Sequence, residues 1–148
     1  MNIETIYSQS FKFEKSKREG IMRDYSTTEN KDKYKPFSYL WQCFAWAAIL
    51  GFINDKREPL LPPIADRPFD LSTMKNNGGE TIAKALIVLA ISKAENGIEI
   101  LKTPEELRLL IEEYANGGFN HIQKLIANNQ YDFNSHEKFI LEIQNRKS

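Results

Sequence analysis

The sequence has one cysteine, two histidines and no net charge. The lone Cys43 excludes an intramolecular disulfide framework and a cysteine-rich zinc site. His121 and His136 lie far apart, and neither has a second histidine four residues on or the carboxylate pattern of a zinc site. Basic and acidic residues number 20 each, so no overall field points to nucleic acid or to a membrane surface. There is no Gly-x-Ser-x-Gly elbow or other nucleophile signature. Gly78 and Gly79 precede a helical stretch but lack the strand, the further glycines and the Lys-Ser/Thr ending of a phosphate-binding loop. The opening Met1-Asn2-Ile3-Glu4 shows no basic region leading into an apolar run, so no signal peptide is expected. A soluble cytoplasmic protein is the expectation. No internal repeat is visible, and 148 residues suit one domain with a real core.

What is present is centred on residues 36–59. From Phe37 to Ile53 there is no charge, and only Ser38 and Gln42 interrupt the apolar pattern. A membrane span needs roughly 20 apolar residues, so this stretch reads as the buried central helix of a domain. Pro36 suits the first helical turn, and Pro59 stops any continuation while biasing Glu58 away from helical geometry. Asn54, Asp55, Lys56, Arg57 and Glu58 therefore leave the core together at one helix end. Cys43, among large apolar neighbours, reads as an inert core thiol, and Trp41 and Trp46 as core residues.

The spacing predicts a mostly α-helical single domain with two buried central helices, amphipathic helices towards the C-terminus and a short N-terminal strand. Residues 1–35 form a charged, partly ordered segment and residues 36–148 the helical domain. Phe11 and Phe13 alternate with polar neighbours, as in a strand, and residues 14–24 are equally compatible with a helix. Residues 26–35 read as a linker. Residues 60–77 hold four prolines with Pro59 counted, which forbids a long helix. Leu60, Leu61, Ile64, Phe69 and Leu71 are expected to pin this connection to the core. Residues 80–94 are the second central helix, packing on the first through Ala83, Ala85 and Ala90 against Ala45, Ala47 and Ala48. Thr103-Pro104-Glu105-Glu106 is a helix start, followed by a stripe at Leu107, Leu110, Ile111 and Tyr114. Asn116-Gly117-Gly118 is expected to end that helix. Phe119, Ile122, Leu125 and Ile126 form another, and Asn134 caps a last one carrying Phe139, Ile140 and Ile143.

Two places stand out as sites. At the exit of the central helix, Asp55, Lys56, Arg57 and Glu58 read either as a salt-bridged helix end, favoured by the helix dipole, or as a partner-binding surface with Asp66 and Arg67 across the proline-rich loop. Lys75, Asn76 and Asn77 precede a helix N-terminus, which attracts anions, or form a plain loop and cap. The bases Lys12, Lys15, Lys17, Arg18 and Arg23 are interleaved with Glu14, Glu19 and Asp24. Such a run is a solvated face unless it contacts phosphates, in which case binding depends steeply on salt. Asp55, Glu58, Asp66 and Asp70 have no spacing specific for a divalent ion.

Ala47-Ala48-Ile49-Leu50-Gly51-Phe52 and Arg57-Glu58-Pro59-Leu60 resemble a motif of a small protein family that accompanies bacterial DNA-phosphorothioation (sulfur-modification) defence systems. In that family an Ala-Ala-Leu-Leu-Gly-Tyr is followed by a basic stretch and Arg-Glu-Pro-Leu. The likeness extends through the second apolar helix and residues 104–118, and so covers residues 36–120; the long N-terminal segment departs from it. The resemblance implies a role in DNA modification and restriction, with no enzymatic activity assigned to this small component. The expected function is a non-enzymatic accessory or adaptor protein that acts with larger DNA-processing proteins of an anti-phage system, without cofactor or metal. The alternatives are a direct DNA-binding module, through Lys12 to Arg23 and Arg57, and a small metal-dependent nuclease-like enzyme.

Overall fold

The charge-free run becomes the central helix of a mostly α-helical fold. The computed structural model describes residues 3–26, 36–65 and 69–128. In chain order the elements are α1 (Ile3–Tyr7), β1 (Ser10–Phe11), α2 (Lys15–Lys17) running into a π-helical turn (Arg18–Met22), α3 (Leu40–Ile53), β2 (Phe69–Asp70), α4 (Leu71–Asn76), α5 (Glu80–Lys93), a 3₁₀ turn (Gly97–Lys102) and α6 (Pro104–Ala127). The expected helix at Asn134 lies outside the described residues.

α3 buries Trp41, Cys43, Phe44, Ala45, Ala47, Ala48, Leu50, Gly51 and Phe52, a set that runs round most of its circumference. Trp46 is half-buried. The helix starts at Leu40, four residues later than Pro36 suggests. The Gln42 side-chain oxygen accepts from the amides of Ser38 (2.8 Å) and Tyr39 (3.0 Å), satisfying donors that the helix leaves orphaned there.

The principal partner of α3 is α6, where the alanine spacing pointed to α5. Nor does α6 stop at Asn116-Gly117-Gly118; it continues to Ala127. The glycines mark a close helix crossing instead of an end. A β-carbon on Gly118 would overlap the Ala47 carbonyl, and one on Gly51 would overlap the Tyr114 carbonyl. Glycine inside a helix costs about 1 kcal/mol against alanine, and here near-contact of the two backbones offsets it.

α5 buries one face, through Ala83, Leu86, Ile87 and Ala90, and leaves Val88 exposed. The short N-terminal strand is present: β1 pairs antiparallel with β2, Phe11 opposite Phe69. Ring centroids of Phe11 and Phe13 lie 5.1 and 6.1 Å from that of Phe44, and Ile21 and Met22 are buried in the same core.

The connection after Pro59 is pinned differently from expectation. Leu61 (68% exposed) and Ile64 (38%) face solvent, and Leu71 alone of the five apolar residues is fully buried. Backbone pairing does the holding: Lys15 N–H donates to the Pro63 carbonyl at 2.9 Å and Ala65 N–H to that of Phe13 at 2.9 Å. The segment also contains α4, which Asp70 starts by accepting from Thr73 N–H at 2.8 Å.

Candidate partner-binding site

The exit of α3 is a tight reversal. Lys56 N–H donates to the Gly51 carbonyl at 2.8 Å and Asp55 N–H to that of Phe52 at 3.3 Å. The first is the six-to-one bond of a Schellman motif, with Asp55 in the left-handed position at φ 52°. Glycine is usual there; aspartate is among the few residues that tolerate it. The reversal sends residues 55–60 back across α6. Glu58 N–H reaches the Glu113 carbonyl at 3.0 Å. The Lys56 carbonyl lies where a β-carbon on Gly117 would be.

Side chains from α5 and α6 then hold this ledge. Asp55 Oδ1 receives the Lys93 ammonium at 3.3 Å and the Tyr114 hydroxyl at 3.2 Å. The Lys93 hydrogen bond and charge keep the Asp55 carboxyl below its ordinary value. Burial, then the hydrogen bond to Asp55, raise that of Tyr114. Phe52 stacks on the Tyr114 ring at 4.3 Å. Arg57 Nε donates to Glu113 Oε1 at 2.8 Å, and Asn120 Nδ2 donates to Glu58 Oε2. A recess of about 340 Å³ opens beside the ledge, lined by Arg57, Lys93, Asn96, Glu106 and Leu109 among others.

Beneath the ledge lies a buried polar network. Glu14 Oε1 binds the Lys17 ammonium at 2.6 Å, and Glu14 Oε2 accepts from Leu61 N–H at 2.7 Å and Asn116 Nδ2 at 3.2 Å. Asn116 also donates to the Pro59 carbonyl at 3.1 Å. Burial opposes the charge on Glu14, but Lys17, the Leu61 amide and Asn116 together outweigh it and hold the carboxyl below its ordinary value. Glu112 is the converse. It accepts from Lys12 N–H at 2.7 Å and Arg108 Nη1 at 2.5 Å, yet burial wins and raises its pKa.

Asp55, Lys56, Arg57 and Glu58 are thus brought together; Asp66 and Arg67 lie outside the described residues. The N-terminal bases are dispersed. Lys17 is buried against Glu14, Lys15 pairs with Glu19 at 3.8 Å, Arg23 lies 3.9 Å from Asp24, Arg18 is half-buried and the Lys12 side chain is exposed. Ahead of α5, Gly79 N–H is already bonded to the Met74 carbonyl at 2.7 Å. Among the described residues, no three His, Cys, Asp or Glu side chains gather closely enough to hold a metal ion. Burial pushes the Cys43 thiol far up, as its apolar setting implied.

The family described as DNA sulphur modification system-associated protein 4 matches residues 14–148. The chain belongs to this family. No curated protein and no solved structure matches it. The match to DNA sulphur modification system-associated protein 4 begins at Glu14, well ahead of the residues that carried the resemblance, and so takes in the Glu14–Lys17 pair, the ledge and all of α6. Membership of this family associates the chain with a DNA sulphur modification system. No helix of the described residues is long and apolar enough to cross a membrane.

Sequence reading missed the residues that hold the ledge: Lys93, Glu113, Tyr114, Asn116, Asn120 and Glu14. Glu113, Gly117 and Asn120 recur at the three- and four-residue spacing of one helix face. That signal is legible only if the helix is carried through the two glycines.

Proposed function

We propose that this protein is a non-enzymatic adaptor of a DNA sulphur modification system with an anti-phage role, working in the cytoplasm. It docks a larger DNA-processing protein through Asp55, Lys56, Arg57 and Glu58 and the recess beside them; Asp66 and Arg67, outside the described residues, are assigned to the same partner on their charge alone. The observation that carries the reading is the way the ledge is held. α3, α5 and α6 all bond to it, yet the side chains of Asp55 (75% exposed) and Arg57 (48%) still face water. Lys56 is exposed and makes no ion pair among the described residues. A charged projection fixed in advance loses little entropy on docking. Its carboxylates are engaged by Lys93, Tyr114 and Asn120, an arrangement that supports a structural over a catalytic role. Direct DNA contact gains less support, because Lys17 is committed to Glu14.

The test is affinity capture with the tagged chain in its native host. The wild type is expected to recover a DNA-processing protein, and Lys56→Glu to reduce recovery about tenfold, a loss typical of a reversed interface charge. Capture of no DNA-processing protein by the wild type would sink the proposal.

A further inference from the structure

On another face of the molecule, α1, α4 and α5 enclose a recess of about 810 Å³. Tyr7 and Ile87 contribute to its lining, and Ile3 (51% exposed) and Val88 (62%) stand on its walls. Ile3 and Val88 give this recess an exposed apolar rim.

The charges around it indicate what covers it. Glu4 and Glu80 share the lining with Lys75 and Lys84, two of each sign. A nucleic acid or a strongly charged protein would require an excess of one sign. A surface that meets a copy of itself across a two-fold axis must be complementary to itself, and two charges of each sign let every base meet an acid of the partner subunit. The chain as a whole carries 20 bases and 20 acids, so two copies do not repel one another at neutral pH. Along α5, Glu80, Lys84 and Val88 follow at four-residue intervals on one face, with Lys84 Nζ 3.6 Å from Glu80 Oε1.

We propose that this recess is a self-association surface. Two copies of the chain pack with their α5 helices antiparallel about an axis between Glu80 and Lys84, and Ile3 and Val88 of each enter the recess of the other. Glu80 of each copy then faces Lys84 of the partner subunit. The inference is independent of the adaptor reading, since the recess shares no residue with the ledge. The dimer is expected to form at concentrations on the order of tens of micromolar.

Sedimentation equilibrium of the full chain tests it. The wild type is expected to show a concentration-dependent monomer–dimer equilibrium. Val88→Glu, at a solvent-facing position, keeps the wild-type circular dichroism and weakens association at least about tenfold. Glu80→Lys and Lys84→Glu each place like charges across the axis and are monomeric alone. Mixed in equal amounts they dimerise, because each variant supplies the sign the other lacks. A wild type that stays monomeric up to roughly 1 mM overturns the proposal. So does a Val88→Glu dimer of undiminished strength, or a mixture that remains monomeric. A monomeric wild type whose capture of a host protein is lost in Val88→Glu would assign the recess to a different partner and likewise refute self-association.

Discussion

Glu14 and Glu112 are both buried carboxylates beside a cation, and their surroundings push them in opposite directions. Glu14 has Lys17, the Leu61 amide and Asn116, and its pKa is lowered. Its folded form therefore favours the ionised state, and its stabilising contribution is present above the ordinary glutamate value of about 4.3. It is lost as pH falls through the lower folded value. Glu112 is raised by burial, so its ionised form is a burden at neutral pH that protonation relieves. Glu14→Gln leaves the buried Lys17 ammonium without its counter-charge and is expected to cost about 3 kcal/mol at pH 7. Glu112→Gln keeps an oxygen for the Lys12 amide and is expected to cost less than about 1.5 kcal/mol. Urea unfolding of both variants at pH 7 and pH 4 checks this. Equal losses at pH 7 would refute the distinction, and the cost of Glu14→Gln should shrink towards pH 4. None of this was legible locally. A Glu and a Lys three residues apart in a mixed charge run look like a solvated pair. What buries them is Asn116 and the 59–61 backbone, far off in sequence. Asp55 was easier to read, because Asn-Asp after a long apolar run is itself a turn signal.

At the scale of elements, the α3–α6 crossing sets where the ledge can go. Gly51 and Gly118 let the two backbones touch, and Gly117, the residue before Gly118, lets the returning chain lie against α6 at Lys56. Adding a methyl group at Gly118 pushes α6 away from α3 and from the chain laid over it. Gly118→Ala is therefore expected to destabilise by about 2–3 kcal/mol, as overpacking does, although alanine is the better helix former by about 1 kcal/mol. Gly20, with open space around its missing β-carbon and no positive φ, is the control: Gly20→Ala should be neutral or stabilising by up to about 1 kcal/mol. Thermal melts of the two variants decide. If Gly118→Ala raised the melting temperature, the close crossing would be wrong. The long helices α3 and α5 and the start of α6 were plain in the sequence, from apolar spacing and the Thr-Pro-Glu-Glu start, while the short α1 and α4 were not. The crossing was hidden because Asn-Gly-Gly is equally a helix stop and a small-residue contact. Only the partner backbone distinguishes the two.

For the whole molecule, the question is whether residues 1–35 stand apart from residues 36–148, as their charge suggested. Phe11 and Phe13 lie against Phe44 and Phe69, β1 completes the two-stranded sheet, and Glu14 reaches Asn116 and Leu61. The N-terminal segment thus fills part of the core and also ties down the loop from which the ledge projects. Loss of Phe11, one of the largest fully buried side chains, is expected to cost about 3–5 kcal/mol. Such a loss should lower a single cooperative transition without splitting it, because no second core remains for residues 36–148 to keep. Differential scanning calorimetry of Phe11→Ala and near-ultraviolet circular dichroism of a 36–148 fragment test the same point from two sides. One lowered transition and a fragment without fixed aromatic packing are the expected results. Two resolved transitions, or a fragment with the near-ultraviolet spectrum of the full chain, would make residues 1–35 an appendage. In that case the ledge would be held by α3, α5 and α6 alone, and Glu14→Gln would leave partner capture unchanged.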